Sequence, residues 1–416
     1  MTRNEERGTK KEELGIVVTD TPHTPDIPRR VKIGLIGTGL AVEKLHWPAL
    51  RQLADRFDVV AFADASRENG EAFASYADVS MERYAADYRD LLRRDDVEAV
   101  LVALPIPLLY PATRDALEAG KHVISEKPPG ADLSQAREFL RLPELFPGHV
   151  LLVAENFFYR DDLRLARSLL DGGAIGRLHL MAWHTAFHST PQPGQFSSTP
   201  WRWQPQYRGG PLLDAGVHFI AQIRLLCGDA THLHAEVLDA NPTMGGPSDL
   251  TLNLRFADGA IGSHSAVHSP IPVPREGSAM RLYGSDGTML VGGAGGGGQG
   301  ARRIEIHRSD GSAETYRIEG GGNGYANEWR NFYDAIVYGE PVAGTVAQSF
   351  QNLLIVMRAL DSAEGGLVAG LYDAPGGVSA QGVPLWRPRG ATGLFDGLPC
   401  RVITEAAPSP AATGPG

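Results

Sequence analysis

Residues 31–46 read VKIGLIGTGLAVEKLH, an apolar run that leads through a glycine turn into a helical pattern. The run at residues 31–36 is too short for a helix and predicts a buried parallel strand. Gly37 would allow a tight turn after it, and Gly39 would let the backbone approach a diphosphate at the start of the helix, whose first N–H groups bind anions. This order predicts a dinucleotide-binding site, although Val42 occupies the usual third glycine position.

A carboxylate after the next predicted strand supports this site. Residues 59–63 form that strand, and Asp64 ends it at about 25 residues beyond Gly39. A carboxylate at this spacing binds the ribose of NAD, whereas the alternative is a solvated turn aspartate. Arg67 follows closely and would instead contact the 2′-phosphate of NADP. The sequence therefore favours NAD, with NADP as the alternative.

Composition limits the classes of partner. The chain has 416 residues, 43% of them hydrophobic, and a formal net charge of −10. Without a visible basic face, nucleic acid and anionic membranes are not expected as partners. Cys227 and Cys400 give neither a disulfide framework nor metal-ligand spacing, so no metal site is predicted. Because no apolar run has the length of a membrane span and no signal peptide is visible, a cytoplasmic protein is expected.

The pattern of predicted elements changes once along the chain. Alternating strands and helices at residues 31–156 predict an α/β fold with a doubly wound parallel sheet, a Rossmann domain. Residues 157–400 are predicted to form an α+β domain with a large, mostly antiparallel, open-faced sheet for substrate binding and oligomerisation. Its strands are separated by Asp-Gly turns at residues 258–259, 286–287 and 310–311, which are typical of hairpins. Residues 1–30 are predicted to be a disordered extension and residues 401–416 a flexible tail.

The first cluster with catalytic chemistry is Glu126-Lys127-Pro128, at the carboxyl end of a predicted strand. Ligands of open α/β sheets bind at this edge. Lys127 is therefore a candidate hydrogen-bond donor or proton carrier beside the cofactor. The alternative is a surface lysine whose stem only covers apolar surface.

The second cluster contains Asp214 and His218, four residues apart in a helix predicted to start at Pro211 and end at Gly228. Residues at this spacing share one helix face. A carboxylate beside an imidazole orients the ring and raises its basicity, which makes a sensible general acid–base unit. An ordinary surface pair is the alternative, and a metal site is less favoured because the sequence places no third ligand.

Together these motifs resemble the Gfo/Idh/MocA oxidoreductase family. The Gly-Thr-Gly turn is followed by GKHV at residues 120–123, then by Glu126-Lys127-Pro128, and later by Asp214-x-Gly216-x-His218. Further matches are Gly173-Ala174-Ile175-Gly176, Trp201-Arg202, Gly284-Ser285-Asp286-Gly287 and the set Tyr325, Glu328 and Phe332.

The resemblance covers about residues 31–363. It implies a Rossmann domain, an open-faced sheet that supports a homodimer or homotetramer, and sugars, cyclitols or related polyols as substrates. It also implies that Lys127, Asp214 and His218 correspond to the family's catalytic residues. Two positions depart from the family pattern: Pro105-Ile106-Pro107-Leu108-Leu109 replaces Pro-Asn-x-x-His, and Ala221 replaces an aspartate. These changes bear on the substrate class more than on the catalytic residues.

The resulting hypothesis is an NAD(P)-dependent oxidoreductase that transfers a hydride between nicotinamide and a secondary alcohol, or its ketone, of a sugar-like molecule. His218 would take the hydroxyl proton, Asp214 would orient His218, and Lys127 would bind the reacting oxygen. Two alternatives stay open: a redox-neutral, NAD-dependent elimination or hydrolysis of a glycoside, and a non-catalytic NAD(P)-binding regulator.

The predicted site residues form two overlapping sets. Those predicted to bind the cofactor are Gly37, Thr38, Gly39, Leu40, Asp64, Arg67, Leu104, Pro105, Glu126, Lys127 and Asn156. Those predicted to bind the substrate are Lys127, Arg160, Trp201, Arg202, Asp214, His218 and Tyr325. Residues 189–210 form a long predicted loop, and loops of this length are often functional.

Overall fold

The computed structural model describes residues 29–273, 278–292, 302–318 and 322–391, and the backbone alone of residues 400–405. The predicted N-terminal extension lies outside these residues except for Arg29 and Arg30. Residues 400–405 form a strand against the second sheet, although the sequence predicted a flexible tail from residue 401. Most of that predicted tail, residues 406–416, also lies outside the described residues.

The first sheet of the described residues has six parallel strands in the order β3-β2-β1-β4-β5-β6. Its strands are β1 (Val31–Ile36), β2 (Phe57–Ala63), β3 (Tyr84–Ala85), β4 (Ala99–Val102), β5 (His122–Glu126) and β6 (Leu151–Ala154). The helices between them are α1 (Trp47–Gln52), α2 (Arg67–Ala77), α3 (Tyr88–Leu92), α4 (Ile106–Glu118) and α5 (Leu133–Leu145). This is the strand order of a Rossmann fold, in which a dinucleotide lies where the order reverses between β1 and β4.

The helix after β1 contains Pro48, which has no N–H for the helical ladder. A π-helical turn at Val42–His46 precedes α1 and runs directly into it, so Pro48 lies near the first position of α1. His46 is fully buried at the end of the turn. Such π turns are frequent at functional sites, and here the turn sends an imidazole towards the interior.

Helix α4 contains two prolines, and both are accommodated. Pro107 lies in the first turn, where a missing N–H costs no hydrogen bond. Pro111 cannot donate to the Pro107 carbonyl, but that oxygen accepts from Gln135 Nε2 at 3.3 Å. The helix therefore begins at Ile106, directly beside the carboxyl end of β4.

The second sheet has ten strands among the described residues, in the order β15-β8-β9-β10-β7-β11-β12-β13-β14-β16. They are β7 (Leu178–His188), β8 (Ala230–Leu238), β9 (Asp249–Phe256), β10 (Ile261–Ser269), β11 (Met280–Gly284), β12 (Gly287–Val291), β13 (Arg302–Arg308), β14 (Ala313–Ile318), β15 (Ala369–Gly370) and β16 (Cys400–Glu405). The pair of β10 with β7 is parallel, and the other described pairs are antiparallel. The three Asp-Gly turns join β9 to β10, β11 to β12 and β13 to β14, as the sequence predicted.

Among the described residues, six α-helices accompany this sheet. They are α6 (Asp161–Asp171), α7 (Pro200–Trp203), α8 (Gly210–Asp214), α9 (Gly216–Cys227), α10 (Tyr325–Tyr338) and α11 (Val346–Gly365). One sheet face packs on helices, as where Trp183 of β7 meets Phe219 of α9 at 5.5 Å between ring centroids. Helix α10 returns to the first sheet, where Trp329 packs on Phe57 at 5.1 Å. The α/β fold class with a second, mostly antiparallel sheet is confirmed.

Candidate active site

A cleft of about 1200 Å³ lies along the carboxyl edge of the first sheet and continues to the start of α9. It exceeds the usual volume of a site for one small ligand, so it has room for a dinucleotide and a second molecule. The predicted residues that line it are Gly37, Thr38, Gly39, Leu40, Asp64, Leu104, Pro105, Glu126, Lys127, Trp201, Arg202, Asp214, His218 and Tyr325.

The turn after β1 fits a dinucleotide. Gly37 has a φ of +87°, and a Cβ there would lie 2.3 Å from the Ala103 carbonyl oxygen. Gly39 borders the cleft, and a Cβ on it would meet no described atom within 4 Å. That Cβ would project into the space where a diphosphate approaches the backbone. The residues present therefore fit NAD or NADP.

Asp64 is held at the end of β2 by the glycine turn and by the start of α2. Its Oδ2 accepts from Thr38 N–H at 2.9 Å and from Thr38 Oγ1 at 3.1 Å. Its Oδ1 accepts from Ser66 N–H at 2.9 Å and from Asn69 Nδ2 at 3.3 Å. These contacts fix a carboxylate in the lining of the cleft.

Arg67 does not share this position. Its Nε donates to Glu71 Oε1 at 2.8 Å on the outer surface of α2, one turn further along the same helix. The position of Arg67 in the sequence suited a contact with a 2′-phosphate. In the structure, Glu71 on the solvent side of α2 holds its guanidinium outside the cleft lining.

Glu126 is connected to the buried His46. His46 Nε2 lies 2.9 Å from Glu126 Oε1, and Trp329 Nε1 donates to His46 Nδ1 at 3.2 Å. Since the indole can only donate, Nδ1 must accept and Nε2 must carry the proton given to Glu126. Burial opposes ionisation of Glu126, yet the hydrogen bond from His46 and the charge of Lys127 lower its pKa. The relay holds a carboxylate at the end of β5.

Lys127 and Asp214 meet in the wall of the cleft. Lys127 Nζ donates to the Asp214 carbonyl oxygen at 2.6 Å and to Asp214 Oδ1 at 3.1 Å. Arg202 Nε donates to Asp214 Oδ2 at 2.7 Å. Burial alone would raise the pKa of Asp214, but the charges of Lys127 and Arg202 outweigh it and hold that pKa well below its usual range. Two of the three ammonium N–H groups of Lys127 are used here, which leaves the third for an oxygen in the cleft.

The predicted helix that carries Asp214 and His218 is divided at Ala215. The Asp214 carbonyl accepts from Lys127, and the His218 N–H bonds to the Ala215 carbonyl at 3.2 Å. Helix α8 ends at Asp214 and α9 begins at Gly216. The His218 Nδ1 atom lies 2.6 Å from Glu155 Oε1. The expectation that Asp214 orients His218 is wrong, since a different carboxylate contacts the imidazole.

The loop before α8 forms the outer wall. Phe196, Trp201 and Arg202 line the cleft. The Arg202 guanidinium lies 4.0 Å from the centre of the Trp201 ring and 5.3 Å from that of Phe196. Tyr325 closes the inner end, with its ring edge-on to His46 at 5.3 Å. Burial first, and then the nearby carboxylates, raise the pKa of Tyr325 well above its usual value, so its hydroxyl stays protonated.

Two further predicted residues lie outside the cleft lining. Asn156 is buried, and its Nδ2 donates to the Asn323 carbonyl at 2.6 Å. Arg160 donates to both oxygens of the buried Asp162, at 3.1 and 2.6 Å. Both residues follow β6, so their place in the sequence was right for a site. A distant partner holds Asn156 and a near one holds Arg160, and neither side chain reaches the cleft lining.

The sequence reasoning missed Glu155, His46 and Phe196. Glu155 follows β6 directly, in the same place relative to its strand as Asp64 after β2. Because ligands gather at the carboxyl ends of parallel strands, that position was an available signal. His46 and Phe196 carried no comparable signal, because a π turn and a loop conformation place them.

The described part of the chain offers neither a metal-binding cluster nor a membrane-spanning helix. It contains no group of three or more His, Cys, Asp or Glu residues placed to hold a metal ion. Over the same ranges, no helix is long and apolar enough to cross a membrane.

Comparison with protein families gives two matches. Residues 31–144 match the model of an oxidoreductase family with an NAD-binding Rossmann fold. Residues 163–290 match the GFO/IDH/MocA C-terminal domain. These matches confirm the resemblance drawn from the motifs, and they confirm that the N-terminal sheet is an NAD-binding Rossmann domain.

Individual proteins agree with these matches. The dTDP-3,4-didehydro-2,6-dideoxy-α-D-glucose 3-reductase of Streptomyces violaceoruber is 31% identical over 296 residues, which are 70% of this chain and 81% of that protein. An oxidoreductase of Thermotoga maritima has a TM-score of 0.72 at 26% identity, over 82% of this chain and 98% of its own. A 3-ketoreductase from Actinomadura kijaniata, solved with NADP and TDP-benzene, has a TM-score of 0.68 at 24% identity, over 80% of this chain and 98% of its own. At that identity the last protein shows the fold alone.

Proposed function

The chain belongs to the Gfo/Idh/MocA family of NAD(P)-binding oxidoreductases, and from this premise we propose that it interconverts a secondary alcohol and a ketone on a sugar, a cyclitol or a sugar derivative. One wall of the cleft supports this best, because Lys127, Asp214 and His218 lie there beside the dinucleotide turn. An ammonium donor and an imidazole facing one space are what alcohol oxidation and ketone reduction require.

The bound nicotinamide supplies or accepts the hydride in this reaction. His218 takes the hydroxyl proton at Nε2 when the alcohol is oxidised and returns it when the ketone is reduced. Lys127 donates its remaining N–H to the reacting oxygen and stabilises negative charge there. Asp214 holds Lys127 in place through two contacts and balances the charges of Lys127 and Arg202.

A carbohydrate suits the remaining wall. The faces of sugar rings are apolar and their edges carry hydroxyls, and the loop offers aromatic rings with a guanidinium between them. The Streptomyces violaceoruber relative is named for a keto group on a nucleotide-linked sugar, so such sugars belong among the first substrates to test. Residues 157–400 would bind the substrate and would assemble a homodimer or homotetramer through the open sheet face. Along β9, exposed side chains on this face alternate with buried side chains on the opposite face.

The proposal is tested by turnover. We expect NADH to accumulate with NAD and at least one member of a panel of polyols, aldoses and cyclitols, or NADH to be consumed with a keto-sugar. The panel includes free and nucleotide-linked 3-keto sugars. Stoichiometric cofactor binding with no turnover across the panel would contradict the proposal and favour a regulator. A cleaved glycoside formed with catalytic NAD would favour the redox-neutral alternative.

Cofactor preference should follow Asp64. We expect NADH to bind more tightly than NADPH, because a fixed carboxylate accepts from ribose hydroxyls and repels a 2′-phosphate. Hydrogen bonds to charged groups contribute about 1.5–3 kcal/mol. The Asp64→Ala change should therefore weaken NADH binding by about 10- to 100-fold and reduce the preference for NADH over NADPH. Fluorescence titration with both cofactors measures these affinities.

Arg67→Ala is the matched control. Since Arg67 pairs with Glu71 outside the cleft, NADH and NADPH affinities should stay close to those of the unsubstituted protein. Tighter binding of NADPH that is lost in Arg67→Ala would mean that Arg67, not Asp64, sets the choice of cofactor.

A further inference from the structure

We infer that Glu155 is the positioning residue for His218, holding the imidazole with its proton on Nδ1 and with Nε2 free to face the substrate. This inference rests on the proposed function, since His218 matters only if it exchanges a proton with a substrate. It adds a residue that neither the motifs nor the family matches pointed to.

The hydrogen bond itself fixes the tautomer. Glu155 Oε1 lies 2.6 Å from His218 Nδ1, a short contact of the kind made to ionised groups. Glu155 is only 1% exposed, so water does not compete for it. An ionised carboxylate can only accept, so Nδ1 must carry the hydrogen, and Nε2 is left with its lone pair on a residue that lines the cleft. A base needs that lone pair to take a hydroxyl proton.

The ring plane is held by the same short segment of chain. Phe157 stacks on His218 with ring centroids 4.9 Å apart and planes 17° from parallel. Its own N–H donates to Glu155 Oε1 at 3.2 Å. The Arg160 guanidinium covers Phe157 at 4.5 Å, and the buried Asp162 fixes Arg160. The turn after β6 thus supplies the carboxylate, the stacking ring and the support behind that ring.

Asp214 does not take this part in the structure. Both of its carboxylate oxygens are engaged, Oδ1 by Lys127 and Oδ2 by Arg202. Among the hydrogen bonds of the described residues, the contact to the imidazole is made by Glu155. The two carboxylates therefore divide the work: Asp214 positions the ammonium, and Glu155 positions the imidazole.

A second buried carboxyl provides a matched control. Glu328 is fully buried, and neither of its oxygens has a hydrogen-bond partner among the described residues. Burial, and then the charges of Glu126 and Glu155, raise its pKa well above the usual value. Both influences favour its neutral form, and Glu328→Gln changes a buried carboxyl to an amide without removing a described contact to His218.

The experiment compares Glu155→Gln, Glu155→Asp and Glu328→Gln in the full-length protein. Glutamine keeps the shape but can offer either an oxygen or an N–H to Nδ1, so the tautomer is no longer fixed. In Glu155→Gln we expect kcat to fall by about 100-fold or more, as when an orienting carboxylate is lost from an acid–base pair. KM and the NADH affinity should change less than about threefold, because Glu155 contacts His218 and not the substrate or the cofactor. Glu155→Asp should recover part of kcat, and Glu328→Gln should match the unsubstituted protein.

If Glu155 had a merely structural role, its replacement would not change the tautomer of His218. The tautomer is therefore the deciding measurement. In ¹⁵N-histidine-labelled protein, the His218 signal, identified by its loss in His218→Asn, should report protonation at Nδ1 alone. It should become a mixture in Glu155→Gln and stay unchanged in Glu328→Gln. An Nε2-protonated His218 in the unsubstituted protein would overturn the inference even if Glu155→Gln failed to fold. So would an unchanged kcat in Glu155→Gln while His218→Ala is inactive, an outcome that leaves the proposed function standing. Unchanged turnover in His218→Ala would instead remove the proposed function itself.

Discussion

Replacing His218 with alanine should lower kcat by about two to four orders of magnitude, the usual contribution of a positioned general acid–base group. His218 is the imidazole in the wall of the cleft beside Lys127, and alanine leaves only water to exchange the hydroxyl proton. Cofactor affinity should stay within about threefold, since the dinucleotide turn and Asp64 are untouched. Steady-state kinetics on the best substrate of the panel, together with NADH titration, measure both quantities.

His307→Ala is the matched control for that change. His307 also lies beside a glutamate, with 3.6 Å between Nε2 and Glu305 Oε2, but its side chain is 54% exposed on the second sheet, away from the cleft. We expect the His307→Ala variant to have the same kcat as the unsubstituted protein. A His218→Ala variant with near-normal kcat would show that proton transfer does not depend on this residue, and the acid–base scheme would fail.

The fold could be predicted because local residues determine it. The apolar run of β1 and the glycines after it fix a strand, a turn and a close backbone approach within a few residues. The Asp-Gly turns likewise fix three hairpins from two residues each. Helix α4 also depends on a contact that is not local, because Gln135, from another element, satisfies the carbonyl that Pro111 leaves open.

The site could be predicted only as far as its residue types. Lys127, Asp214 and His218 do line one cleft, but their pairing was inferred from helix spacing. The expected pair is not found, because Asp214 is bound by Lys127, 87 residues away in sequence, and Glu155 contacts the imidazole of His218. Arg67, Asn156 and Arg160 were placed near the right strand ends, and partners on their own or distant elements then turned them away. Which of several available polar partners a side chain takes, near or distant, decides these orientations, and a single sequence does not reveal that choice.

Replacing Lys127 with methionine should lower kcat/KM by about two to four orders of magnitude. Methionine keeps much of the apolar stem but removes the ammonium, and with it the donor to the reacting oxygen. Asp214 keeps its 2.7 Å contact with Arg202, so the buried carboxylate still has a charged partner and the protein should fold. Lys32→Met is the control, because Lys32 is exposed at the start of β1, on the opposite edge of the same sheet.

The pairing of Lys127 with Asp214 predicts how the two substitutions combine. If Asp214 acts mainly by holding the ammonium, Asp214→Asn should cost less than Lys127→Met. The double variant should then be no worse than Lys127→Met alone, since residues that act as a unit are strongly non-additive. Additive losses would mean that Asp214 acts on the substrate independently of Lys127. Near-normal kcat/KM in Lys127→Met would leave the reacting oxygen without its proposed donor, and the assignment of this wall as the catalytic one would then be wrong.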